Sequence, residues 1–241
     1  KLIKQGFNVA ICEQTETAEE AKLNFKKGPL KREVVRIISP GTLTEDNLLQ
    51  RKNNNYLGAI SNFNNSICIA WVDVSTGCFK SRNIGNEEVS TQKQLLTNFL
   101  LRMNFSEILI SEDLDLDYII DEWHPLLKKQ TSTLFHYQSC LEQIYSYYSI
   151  VSLDGIGYFS KGEIIAAGVL LSYLKLTQCG QMPFLSMIKS ETFNEFLEID
   201  YFTQKSLEIL KSLSGNYEGS LIYCIDETKT ASGARLLKQR I

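Results

Sequence analysis

Two tight turns set close together constrain this chain more than any other feature. Tyr56 to Asn62 and Ser66 to Val74 are β-rich runs, and Asn64-Asn65 between them has the chemistry of a hairpin turn. Ser75-Thr76-Gly77 then turns the chain again into Cys78-Phe79-Lys80. Strands joined by so few residues pair with their neighbours, so the spacing predicts a three-strand antiparallel meander. Glu87 to Met103 follows as an amphipathic helix, with Leu95, Leu96, Phe99 and Leu100 on one face. Ser106 to Ile110 is a buried-type strand after it. Residues 112–165 alternate short helical and extended pieces, with Thr133 to Tyr137 as a further strand. Glu163 to Thr177 is a helix of small and apolar residues. A meander followed by αβ units predicts one α/β domain with a mixed sheet, over 56–178.

The flanks differ. Residues 1–5 finish a helix and Gly6 stands where a C-cap is expected. Phe7 to Glu13 alternates like a strand, Ala18 to Phe25 is helix-prone, and Glu33 to Ile38 is a second strand, stopped by Ser39-Pro40-Gly41-Thr42. Residues 1–42 thus read as an α/β remnant, followed by a linker over 43–55 that includes the polar run Gln50 to Asn55. Gln178 to Pro183 breaks the pattern again, and 179–198 reads as a second linker. The last section, 199–241, turns from strand-like residues near Phe196 to a helix over Asp200 to Leu213. There Asp226, Thr228 and Thr230 turn the chain and cap a new helix from about Ala231. A helix without a start at Lys1 and one with little room to finish at Ile241 predict an interior piece of a longer protein.

Composition narrows the function classes. The net charge of −3 does not by itself mark a nucleic-acid binder, but its distribution is uneven. Lys22, Lys26, Lys27, Lys31, Arg32 and Arg36 lie within fifteen residues that hold one acid, Glu33. Such a run can grip phosphates without reading sequence, or can be a solvated loop. Glu112, Asp113, Asp115, Asp117, Asp121 and Glu122 form an acidic counterpart with no base among them. The six cysteines are scattered without a Cys-x-x-Cys pair, which argues against zinc and for small buried hydrophobes in a reducing, cytoplasmic compartment. No apolar run approaches the roughly 18 residues that span a bilayer, so no membrane role is expected.

Trp71-Val72-Asp73-Val74-Ser75-Thr76-Gly77 is the most enzyme-like segment. An aspartate on the first strand of a three-strand meander could bind Mg²⁺ in a ribonuclease-H-like nuclease or resolvase, given further converging carboxylates, for which Glu112 to Asp121 are the candidates. The same residues also make an ordinary turn in which Asp73 caps the backbone, and that is the reading taken. His124 and His136 have no partner at ligand spacing. Tyr145, Tyr147 and Tyr148 recur at helical spacing, which favours packing over base stacking. Neither a catalytic residue nor a metal ligand is assigned, and no phosphate-binding glycine loop is present.

Several segments, in order, resemble the MutS family of DNA mismatch-repair ATPases. Gly6-x-x-Val9-Ala10-Ile11-Cys12-Glu13-Gln14, Lys27-Gly28-Pro29 and Arg32-x-Val34-Val35-Arg36-Ile37-x-x-Pro40-Gly41-Thr42 are similar to the end of its mismatch-recognition domain. Asp73-x-Ser75-Thr76-Gly77-x-Phe79 resembles its connector domain. Asp200-x-x-Thr203-x-x-Ser206-Leu207-Glu208-Ile209 and Gly219-Ser220-Leu221 through Gly233-x-Arg235-x-Leu237 resemble the opening of its core or lever domain. Ser206 stands where the family has Asn, and Arg240-Ile241 where it usually has Trp-Leu. The resemblance implies a ribonuclease-H-like connector without catalytic metals, flanked by an α/β remnant and the start of an all-helical lever. It also implies a homodimeric clamp on mismatched double-stranded DNA, with a MutL-type partner docked on the connector. The mismatch-reading Phe-x-Glu would precede Lys1. The weak ATPase, with its ATP and Mg²⁺, would lie beyond Ile241, leaving this stretch itself non-catalytic. Within it, Lys31, Arg32 and Arg36 are the residues expected to touch DNA phosphates.

Overall fold

Gly6, at φ +82°, ends a 3-10 turn over Ile3–Gln5 by donating its N–H to the Ile3 carbonyl. The computed structural model describes residues 2–17, 30–44, 53–85, 89–103, 105–114, 125–191 and 199–241. Strands β1 (Val9–Gln14) and β2 (Arg32–Ile38) pair antiparallel, with a register break between Ile11 and Cys12. The expected strands are therefore present, each displaced by one or two residues. The helix expected over Ala18 to Phe25 lies outside the described residues.

The central sheet follows from an apolar run, Ile67 to Val72, that is buried throughout, the signature of a strand covered on both faces. It forms the body of β4 (Ser66–Asp73), antiparallel to β3 (Tyr56–Phe63) and β5 (Cys78–Gly85). Asn64 and Asn65 make the first turn with φ of 52° and 62°, left-handed values that asparagine tolerates in a two-residue hairpin. Beyond β3 lie β6 (Phe105–Ser111) and β7 (Leu127–Gln130), each parallel to its inner neighbour. At the other edge β8 (Lys189–Ser190) runs parallel to β5, giving the order β7-β6-β3-β4-β5-β8.

Helices cover both faces, so the domain is a three-layer mixed α/β structure. Leu96, Phe99 and Leu100 of α1 (Val89–Met103) pack on Ile60, Ile69, Trp71 and Ile108. On the opposite face α2 (Tyr137–Tyr148) and α3 (Lys161–Thr177) cover Leu57, Ala59, Ala70, Val72 and Leu109. Helix α3 has no polar stripe, because sheet and α2 enclose it. A capping box starts it: Ser160 Oγ accepts from Glu163 N at 3.3 Å and Glu163 Oε2 accepts from Ser160 N at 2.9 Å. The buried Glu163 also accepts from Ser81 Oγ of β5 (2.9 Å) and Ser190 Oγ of β8 (2.6 Å), which fixes the N-terminus of α3 to one sheet edge.

Three expectations are corrected. Thr133 to Tyr137 is not a strand: Ser132–Phe135 is a 3-10 turn and α2 starts at Tyr137, the sheet edge being filled by β7 instead. The helix expected over Asp200 to Leu213 is only α4 (Tyr201–Ser206). Asp200 caps its start, but Glu208 takes φ +52° and Ile209 N–H bonds the Gln204 carbonyl at 3.1 Å, a left-handed stop that ends the helix. Not all cysteines are buried: Cys68 and Cys140 are, but Cys12, Cys179 and Cys224 are exposed. The end of the chain adds α5 (Leu221–Ile225) and α6 (Ala231–Arg240). As expected, Asp226 Oδ1 accepts from Thr228 N at 3.1 Å and Thr230 Oγ1 caps α6 by accepting from Gly233 N at 3.1 Å.

Gly168 in α3 is where α2 crosses. A Cβ there would lie 2.3 Å from Cys140 Cβ, 2.5 Å from its Cα and 2.7 Å from its carbonyl oxygen. Helix propensity alone favours Ala over Gly by about 1 kcal/mol. Backbone overlap reverses the sign, so Gly168→Ala should destabilise by about 3 kcal/mol in urea denaturation.

Candidate functional site

The three basic residues singled out in the sequence lie on or beside β2 but are not equivalent. Lys31 and Arg32 are exposed at its start, where Arg32 pairs with Gln14 of β1. Lys31 Nζ is 2.6 Å from Glu33 Oε1, and that carboxylate raises the Lys31 ammonium above its ordinary value. Its backbone N–H donates to Glu16 Oε2 at 3.2 Å. Arg36 lies half-buried further along the strand and turns inward. Its Nη2 donates to the Thr42 carbonyl (3.1 Å) and to Thr44 Oγ1 (3.0 Å). So Lys31, paired with Glu33, and Arg32 lie at the surface, whereas Arg36 braces the turn that follows β2. The basic residues Lys22, Lys26 and Lys27 lie outside the described residues.

That turn, a 3-10 turn over Pro40–Thr42, is held by side chains from several other elements. Ser39 and Thr42 are fully buried, and Ser39 N–H donates to Thr42 Oγ1 at 2.9 Å. Ser39 Oγ and Gly41 N–H both donate to Glu107 Oε2, at 2.5 and 3.0 Å. Glu107 Oε1 accepts from Tyr173 Oη at 2.7 Å. The pleat of β6 explains the meeting: Leu109 faces α2 and α3, Ile108 and Ile110 face α1, and Glu107 shares the side of Leu109. A fully buried carboxylate needs donors for both oxygens, and two come from the turn and one from α3.

Asn55 completes the joint. Its side chain donates to the Pro40 carbonyl at 3.0 Å and accepts from Ser106 Oγ at 2.6 Å. Its N–H points at Asp73 Oδ2, 3.4 Å away. Next to it, Asn53 accepts from Lys238 of α6, whose ammonium sits 5.8 Å from the Tyr217 ring centre. Residues 53–55, expected in a linker, therefore tie the turn, the sheet and α6 together. Gly41 shows how close the approach is: a Cβ would fall 2.8 Å from Leu57 Cδ1 and 3.0 Å from Glu107 Cβ.

Asp73 ends β4, the second strand of the meander and not the first as expected. It is fully buried, and its Oδ1 accepts from Ser75 N (3.0 Å) and Ser75 Oγ (2.6 Å). These are turn contacts, and the structure gives the Mg²⁺-nuclease reading no support. Among the described residues no group of three or more His, Cys, Asp or Glu side chains converges as a metal site would require. Tyr147 and Tyr148 pack edge to face at 4.8 Å, and their hydroxyls donate to the Pro183 and Ser186 carbonyls at 2.6 Å each. The tyrosines thus hold 183–186, part of the second expected linker, against the domain. His136 precedes α2 without a side-chain cap bond, and His124 lies outside the described residues.

The joint went unread in the sequence, although a signal existed. Glu107 is the one charged residue in a strand otherwise read as buried, and such a residue demands partners from elsewhere in the chain.

Burial first, and then the neighbouring Glu107 carboxylate, raises the Tyr173 phenol above its ordinary value; burial likewise raises Tyr147 and Tyr148. A phenol whose folded value lies above its unfolded one stabilises the fold in its neutral form. That contribution is complete below about pH 10, the unfolded value, and is lost as pH rises through the folded values. Melting temperature should therefore fall as pH rises beyond about 10, and Tyr173→Phe should flatten the fall, as read by thermal scans across that range.

Comparisons with known proteins agree with this order of parts. A family model described as MutS domain I matches residues 1–47, and one described as MutS domain II matches residues 55–186. The DNA mismatch repair protein MutS of Wolbachia pipientis wMel is 40% identical over 245 residues, covering 100% of this chain and 28% of that protein. That of Ehrlichia chaffeensis is 40% identical over 243 residues, or 99% of the chain and 29% of the relative. That of Dinoroseobacter shibae is 37% identical over 240 residues, or 100% and 27%. The chain spans less than a third of the length of these curated relatives.

Proposed function

The chain belongs to the MutS family, and on that premise we propose that it serves DNA mismatch repair as a mechanical coupling body. In this reading β1 and β2 belong to the mismatch-recognition domain, the six-stranded domain is the connector, and 199–241 opens an all-helical lever. The observation that carries it is the consecutive match to the first and second MutS domains along one chain. The strand order supports a ribonuclease-H-like connector: an antiparallel meander extended on one side by two parallel strands, with helices on both faces. The work of the connector is then to pass the state of the DNA-reading domain to an ATPase elsewhere in the full-length protein, where ATP and Mg²⁺ bind. It also offers a surface to a MutL-type partner within a homodimeric clamp. No described helix is long and apolar enough to cross a membrane, and the cytoplasm is the compartment that fits this work.

Double-stranded DNA is the partner this chain touches, through Lys31 and Arg32. Both are basic side chains exposed at one strand end, and phosphate contacts of this kind position a protein on DNA without reading bases. Arg36 is assigned to the joint instead, since its guanidinium already serves Thr42 and Thr44. Each phosphate neutralised contributes about 0.9 to the slope of log K against log salt. The double variant Lys31→Ala/Arg32→Ala should therefore lower that slope by about 2 in fluorescence-anisotropy titrations with duplex DNA. An unchanged slope would remove these residues from the interface.

A further inference from the structure

The joint has a mechanical consequence for those phosphate contacts. Strand β2 leaves the turn at Ser39 and carries Arg32 at its far end. At about 3.3 Å per residue, Arg32 lies about 20 Å from the turn along the strand. A rotation of about 10° at the turn would displace Arg32 by about 3.5 Å, more than the tolerance of a charge-assisted hydrogen bond. The direction of β2 must therefore be fixed at its root if Lys31 and Arg32 are to meet phosphates in register.

We propose that Glu107 is a positioning residue for DNA binding: by holding Ser39 Oγ and Gly41 N–H, it sets the angle at which β2 delivers Lys31 and Arg32 to the phosphate backbone. The proposal rests on the reading of those two residues as DNA contacts. Three features make Glu107 the fixing group. It is fully buried in β6, where it pairs with Leu57 of β3 and the next residue, Ile108, pairs with both β3 and β7, so its own position is set by the sheet. Tyr173 Oη holds its other oxygen from α3, which prevents the carboxylate from swinging. The two donors it accepts from the turn are two residues apart, so they fix an orientation as well as a position. Arg36 and Asn55 brace carbonyls of the same turn, but Arg36 rides on β2 itself and moves with it, and Asn55 reaches only the Pro40 carbonyl. Of these groups, Glu107 alone joins the turn to both sheet and helix.

The test compares three variants of this chain, each measured two ways. Glu107→Leu removes both acceptors. Glu107→Gln keeps one oxygen for the turn and can turn its amide toward Tyr173, whose hydroxyl can accept as well as donate. Ser39→Ala removes one donor only and serves if Glu107→Leu does not fold. Hydrogen exchange reads the Gly41 amide against the Ile69 and Trp71 amides of β4. Anisotropy with duplex DNA reads affinity.

In Glu107→Leu, Gly41 protection should fall about tenfold, the equivalent of one net hydrogen bond, while Ile69 and Trp71 keep theirs; in Ser39→Ala, which leaves the Gly41 bond to Glu107 in place, the fall should be smaller. Duplex affinity should fall by about eightfold at 0.1 M salt for each phosphate that the displaced strand no longer reaches. Glu107→Gln should restore both. Exposure of Gly41 with unchanged affinity would overturn the proposal, and so would a fall in affinity only in step with Ile69 and Trp71 protection, which marks global destabilisation. If the unaltered chain binds DNA with no dependence on Lys31 and Arg32, the underlying reading fails. That failure shows in the parent protein before any joint variant is made.

Discussion

A single buried carboxylate, Glu107, decides how the parts of this chain are placed. A polar side chain inside a sheet is tolerated only where partners meet it, and Glu107 receives donors from the turn after β2 and from α3. Glu163 does the same at the other end of α3, accepting from β5, from β8 and from the helix's own first turn. Helix α3 is thus fixed across the sheet at both ends, by Glu163 toward β5 and by Tyr173 toward β6. Buried carboxylates add little net stability compared with apolar groups of the same volume. What they add here is direction, because hydrogen bonds accept only a narrow range of donor positions.

The surrounding packing uses that direction. Around the turn the backbone of Gly41 approaches Leu57 and Glu107 so closely that an added Cβ would force both side chains to shift. Arg36 and Asn55 hold the Thr42 and Pro40 carbonyls, and Asn55 also meets Ser106 and the Asp73 carboxylate at the sheet end. Asp73, which the sequence offered as a candidate metal ligand, is part of the scaffold that ends β4 and receives Asn55. A chain whose proposed role is to transmit the placement of one domain to another requires such stiffness where its units meet.

Local chemistry made much of the architecture legible. Asn64-Asn65 specified the hairpin because both residues must adopt left-handed backbone, and Gly6 and Thr230 marked helix ends for comparable reasons. The order of the motifs identified the family. What escaped detection depends on tertiary context. Thr133 to Tyr137 alternates like a strand, yet β7 occupies the available edge and those residues serve as the turn into α2. The helix after Asp200 stops where Glu208 adopts a left-handed backbone, a conformation its side chain does not announce. The joint was the largest omission, because Ser39 and Glu107 lie 68 residues apart and neither names its partner. Arg36 shows the same limit: its charge is visible in the sequence, but the turn of its guanidinium toward Thr42 and Thr44 is not.

If Glu107 fixes the turn after β2, then β1–β2 and the six-stranded domain move as one body. A distance distribution between spin labels tests it most directly, with one label on Cys12 of β1 and the other on Lys129→Cys of β7, both exposed positions. Cys179 and Cys224, the other exposed thiols, would be replaced by serine. A single narrow distribution that stays in place when duplex DNA is added is the predicted result. A broad or two-peaked distribution, or one that shifts on DNA binding, would show that the strands turn independently of the sheet and would contradict the claim.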